Sequence, residues 1–147
     1  MATLLDVTDL IEFLSRRESV SGVQRVVAQT VPLLAEAPET TCVFLDRSRG
    51  VFIALTGDEH ALLIGQGARA GSTASPETLA EAAVRTLGRG TTAAPTSIDD
   101  ATLIVFLGAL WINDALMAAA RSAHAAGARI VSLLYDLTPV LDTGHTA

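Results

Sequence analysis

The sequence predicts an α/β fold: a Rossmann-like, doubly wound and mostly parallel sheet. Three observations predict it. Short apolar runs of strand length, at about 3–7, 41–46, 102–107 and 129–135, alternate with stretches of helical periodicity. One of these runs, Thr102 to Leu107, is apolar throughout, as strands covered on both faces are. Two of the helical stretches open on start signals, Ser21 to Gln24 and Ser75 to Glu77. Such alternation implies parallel strands joined by right-handed crossovers.

The elements follow in order. Leu4-Leu5-Asp6-Val7 lies in the first strand, and Thr8 to Ser19 reads as a polar connection with a helical turn through 10–14. The first long helix starts near Gly22. Ser21 and Gln24 have capping-box spacing, in which the Ser oxygen takes an orphan N–H and the Gln reaches back. Val23, Val26, Val27, Thr30 and Leu34 share one face of that helix. Pro32 predicts a kink or an early end, because it removes an N–H and crowds the carbonyl of Ala28.

A strand at 41–46 comes next, then a short β-hairpin insertion at 51–64. Its arms would be Val51 to Leu55 and Ala61 to Ile64, with Thr56 to His60 as the turn. Gln66 to Ala74 is rich in Gly and Ala and reads as a loop. Ser75-Pro76-Glu77 opens a helix with an apolar stripe at Leu79, Ala83, Val84 and Leu87, and Gly88 is its expected stop. A polar loop leads to the strand at 102–107. Gly108 to Trp111 turns into an Ala-rich helix over 113–126, ended by Gly127. The last strand, at 129–135, reads as buried.

Composition narrows the function. All ten basic residues are arginines, which excludes any mechanism that needs a lysine of this chain. The net charge is −6 and the arginines are scattered, so no nucleic-acid partner is expected. Cys42 is the one cysteine and reads as a buried thiol. His60, His124 and His145 lack ligand spacing, so no metal is expected. No apolar run reaches the roughly 18 residues of a membrane span, and the first residues lack signal-peptide features. A cytoplasmic chain is the expectation.

Ligands of open α/β sheets sit outside the carboxyl ends of the strands, so three strand-to-helix corners are the candidate site. The first holds Ser21, Gly22, Gln24 and Arg25, where a helix start offers N–H groups and a positive dipole end. Ser21 and Gln24 as caps and Arg25 as a solvated charge are the alternative. The second is Gly108 to Trp111; Trp111 would either stack on a sugar or base or anchor the core. The third is Tyr135-Asp136. Its carboxylate would either accept a substrate hydroxyl or act as a base, or else cap its own turn before Pro139.

These corners carry a resemblance. Asp6-Val7-Thr8, then Ser21-Gly22-Val23-Gln24-Arg25-Val26-Val27, then Leu107-Gly108-Ala109-Leu110-Trp111, then Gly127 to Val131 running into Leu134-Tyr135-Asp136-Leu137-Thr138-Pro139, resemble in order and spacing the N-terminal half of bacterial family 4 glycosyltransferases. The resemblance implies one Rossmann-like domain over 1–147, equivalent to the acceptor-side half of a retaining GT-B enzyme of polysaccharide or glycoconjugate synthesis. Its donor-binding C-terminal domain, absent from this sequence, would be a partner in cis or as a separate chain. A glycan or lipid-linked acceptor would be the other partner, and the exposed interdomain face would allow a homo-oligomer. A nucleotide-sugar donor is implied for the full enzyme, with no cofactor held by this domain. The complete enzyme could associate with a membrane. The resemblance implies Asp136 as the catalytic-side carboxylate near the acceptor hydroxyl, and Ser21, Gly22, Gln24, Arg25, Gly108, Trp111 and Tyr135 as substrate-binding positions. It also implies no sugar transfer by this half alone. A non-catalytic Rossmann-like module that binds a ligand or a partner is the alternative.

Overall fold

A computed structural model describes residues 1–16, 22–66 and 73–133, without the side chains of Gln66 and Trp111. It is an α/β protein with one five-stranded mixed sheet, mostly parallel. The strands are β1 (Ala2–Asp6), β2 (Thr40–Asp46), β3 (Val51–Ala54), β4 (Thr102–Phe106) and β5 (Arg129–Ser132). Their spatial order is β3-β2-β1-β4-β5. The last four of these are mutually parallel, and β3 runs antiparallel to β2 at one edge.

Alternation of side chains sorts the core into two layers. On one face Leu5, Cys42, Phe44 and Ile53 pack against α1 (Thr8–Ser15), α2 (Gly22–Leu34) and α4 (Pro76–Arg89). On the other, Leu4, Val43, Phe52, Ile104 and Phe106 pack against α5 (Asp114–Ala125) and Leu110. β1 is central, so its carboxyl end receives groups from both layers. No helix among the described residues is long and apolar enough to cross a membrane.

The helical turn expected at 10–14 after β1 is present and extends to a two-turn helix, α1, which buries Thr8, Leu10, Ile11 and Leu14. The spacing 10, 11, 14 is one helical face, and its burial extends the expected turn to both sides. Helix α2 runs through Pro32 and ends at Leu34, and the Ala35 N–H still bonds to the Val31 carbonyl at 2.8 Å. Pro32 therefore falls within the last turn, where little helix remains to be broken.

The expected hairpin over 51–64 does not form its second arm. Thr56 and Glu59 make a capping box, with the Glu59 N–H on Thr56 Oγ1 at 3.2 Å and the Thr56 N–H on Glu59 Oε2 at 2.8 Å. That box starts a one-turn helix α3 (Gly57–Glu59), which continues as a π-helix over His60–Gln66 and buries Leu63 and Ile64. The hairpin present joins β2 to β3 through residues 47–50. Arg89 holds the arrangement by donating to both Glu59 oxygens, at 2.8 and 2.6 Å, and to the Ala54 carbonyl at 2.9 Å.

Ser75 caps α4 through a bond from the Thr78 N–H, but the helix passes Gly88 and ends at Arg89. Val84, expected in its apolar stripe, is exposed. Asn113 caps α5, and Gly127 beyond its end takes the left-handed conformation with φ of 101°. Among the described residues β5 is an edge strand rather than a buried one, and Val131 is 50% exposed.

Candidate functional site

The sheet order changes direction at β1: the chain steps from β1 to β2 on one side, and enters β4 and β5 on the other. This switch point is where an open α/β sheet leaves a crevice at its carboxyl edge. A cleft of about 470 Å³ lies there. One wall is Asp9, Glu12 and Arg16 of α1 with Arg47 of the β2–β3 turn; the other runs from Ala109 through Ile112 and Asn113 to Leu116. A smaller cavity of about 140 Å³, between α5 and the segment around Pro95 to Ile98, carries no charged side chain. An open hollow of about 770 Å³ follows the β5 edge rather than the strand ends.

The end of β1 leads into α1, whose Asp9 and Glu12 line the crevice. Asp6 is only 2% exposed. Its Oδ1 accepts from Thr8 Oγ1 at 2.5 Å and from the Thr8 N–H at 3.3 Å. Thr8 Oγ1 in turn accepts from the Leu45 N–H at 2.8 Å, which ties α1 to β2. Burial pushes the Asp6 carboxyl up to about 7, against the opposing effect of the Thr8 bonds; Asp9 and Glu12 add repulsion.

Asp9 occupies the first turn of α1, where the helix dipole favours an acid. Its Oδ2 accepts from Gln24 Nε2 at 3.3 Å. Gly108, just beyond β4, comes so close that a Cβ there would lie 3.0 Å from Asp9 Cβ and 3.4 Å from its Oδ2. Burial raises the Asp9 pKa; the Gln24 bond lowers it, Glu12 raises it further, and Arg16 and Arg47 lower it. Glu12 receives Arg47 in a forked pair, Nε to Oε1 at 2.5 Å and Nη2 to Oε2 at 2.7 Å. On the opposite wall Asn113 Oδ1 accepts from the Leu116 N–H at 3.1 Å. Its amide nitrogen has no partner among the described residues.

Two predicted corners thus meet. Gln24 and Gly108 converge on Asp9, a residue the sequence reading passed over. The Gln24 amide reaches across to α1. Gly22 opens α2 with φ of 52° and open space where a Cβ would stand, so backbone conformation rather than crowding calls for glycine there. Arg25 is exposed on α2. The backbone of Trp111 lies in a 3₁₀ turn, Leu110–Ile112, beside the cleft. Ser21, Tyr135 and Asp136 lie outside the described residues. A signal for Asp9 was available: an acid right after the Asp6-Val7-Thr8 strand end sits where a first helical turn faces the rim.

Among the described residues no three His, Cys, Asp or Glu side chains are grouped to hold a metal ion. The class that fold and site define is an α/β protein with a polar crevice at the switch point of its sheet. No protein-family model matches the chain, nor does any curated protein or solved structure.

Proposed function

We propose that this chain is the Rossmann-like, acceptor-side domain of a retaining, sugar-nucleotide-dependent glycosyltransferase of the GT-B kind. The supporting observation is the convergence of Gln24 and Gly108 on Asp9, which brings two of the corners behind the resemblance to one crevice. The cleft volume falls in the range of about 300–1,000 Å³ common to small-molecule sites. Its carboxylates and amides suit the hydroxyls of a glycan. Three carboxylates, Asp9, Glu12 and Asp114, face two arginines, one of them held by Glu12. That balance disfavours a nucleotide diphosphate, so donor binding falls to a second domain, in cis or as a separate chain.

In the complete enzyme the acceptor oxygen attacks the anomeric carbon, the bond from that carbon to the diphosphate breaks, and the hydroxyl proton leaves with the displaced phosphate. This chain's contribution is orientation of the acceptor. Asp9 and Asn113 hold hydroxyls, and the resemblance adds Asp136 and Tyr135 as acceptor-side positions. NMR titration of the chain with a panel of neutral and acidic saccharides tests the reading. Shifts should centre on Asp9, Gln24 and Asn113, and a sugar nucleotide should leave them unmoved. Silence toward every saccharide sinks the proposal. The alternative, a non-catalytic partner-binding module, draws on exposed apolar side chains such as Ile112 at the rim, 75% exposed, and Leu33 on α2, 70% exposed. A stable complex through Ile112 with no saccharide binding would favour it.

A further inference from the structure

Two arginines stand on one wall of the cleft in different states. Arg47 spends its fork on both oxygens of Glu12. Arg16, one helical turn beyond Glu12 at the end of α1, is exposed on the cleft wall and makes no hydrogen bond or ion pair among the described residues. Its backbone N–H is satisfied by the Phe13 and Leu14 carbonyls, so the guanidinium is not needed to finish the helix. Its charge reaches Asp9, whose ionised form it favours. The cleft therefore has hydroxyl-binding groups at Asp9 and Asn113 and one unengaged planar cation a short way along the same wall.

From this we infer that the cleft selects a hydroxylated ligand bearing a single carboxylate, an acidic sugar of the hexuronate class, with Arg16 as the anchor for that carboxylate. A guanidinium fork matches a planar carboxylate bidentately. A single charge is what the site tolerates: Asp9, Glu12 and Asp114 would repel the higher charge of a phosphate ester. The inference rests on the glycan-binding reading above and adds the identity of the glycan to it.

Isothermal titration of the whole chain with methyl glucuronide, methyl glucoside and glucose 6-phosphate separates the two. The glucuronide should bind about fivefold more tightly than the glucoside, as an exposed charge pair warrants, and the preference should shrink with salt. Arg16→Gln should erase the preference by bringing glucuronide affinity to that of the glucoside, and Arg16→Lys should keep part of it. Equal affinity for glucuronide and glucoside, a preference that survives Arg16→Gln, or tighter binding of the phosphate overturns the inference and leaves the glycan reading standing. Failure of all three ligands to bind overturns both.

Discussion

Strands β1 and β2 lie side by side, and each ends in a buried aspartate that closes its own turn. Asp6-Val7-Thr8 and Asp46-Arg47-Ser48 make the same motif: one carboxylate oxygen accepts from the N–H and the hydroxyl of the residue two places on. The difference is the other oxygen. Asp46 Oδ2 accepts from Arg49 Nε at 2.5 Å, and the same guanidinium also donates to the carbonyls of Gly90 and Ala93. Among the described residues Asp6 has no such cation, and two more carboxylates, Asp9 and Glu12, face it. Arg49 accordingly holds the Asp46 carboxyl below its usual range, whereas burial lifts Asp6 to about 7. One motif serves as a stapled turn at the β2–β3 hairpin and as a buried acid beside Asp9 and Glu12 at the end of β1. A strand-end aspartate is thus structural or strained according to what the rest of the fold brings to its second oxygen.

The largest effect expected from breaking this contrast is at Asp6. The folded protein holds this proton up to about pH 7, the unfolded chain only to 3.8. Ionisation of Asp6 therefore opposes folding by an amount that grows from about pH 4 to 7 and is constant above. Asp6→Asn, which can still accept from Thr8, should raise stability on the order of 3 kcal/mol at pH 8 and hardly at all at pH 4. Urea unfolding across that range checks it; a gain independent of pH, or a loss at pH 8, refutes the assignment.

Asp46 should behave with the opposite sign. Its pairing adds stability above about pH 4 that is lost as pH falls through its lowered pKa. Arg49→Met should cost about 2 kcal/mol at pH 7, since it strands a buried carboxylate and two carbonyls near the surface. The loss should fade toward pH 3 in thermal melts. Smallest is the difference between the two hydroxyls. Thr8→Val leaves the buried Leu45 N–H without its acceptor and should cost about 1.5 kcal/mol, against about 0.5 kcal/mol for Ser48→Ala on the exposed turn. Equal losses would mean that the Thr8 bridge to β2 does not matter.

The elements most legible in the sequence were those whose signals are local. β2, β4, α4 and α5 followed from apolar runs, Ser75-Pro76-Glu77 and Gly127. The misreadings share one cause. Ala61 to Ile64 is four apolar residues long, too short for periodicity to separate strand from helix. The capping box at Thr56 and Glu59 and the burial of Leu63 and Ile64 decide for helix. α1 is only eight residues with polar positions between its buried ones, so its stability comes from packing rather than propensity. In the candidate site, Gln24 and Gly108 were legible as corner residues. Asp9 was legible only as an acid just past a strand end; what singles it out is its neighbours from two other elements, 15 and 99 positions away in the chain.

The sequence by itself determined an α/β sheet, its principal strands and helices, and the rim on which ligand-binding groups would stand, because periodicity, caps and turn residues act over a few residues. Only the tertiary structure decided that Gln24 and Gly108 meet at Asp9, that Glu12 takes up Arg47, and that the carboxyls of Asp6 and Asp46 shift in opposite directions from one motif. Those outcomes depend on burial and on distances between groups far apart in the chain, and both quantities exist only once the layers have packed.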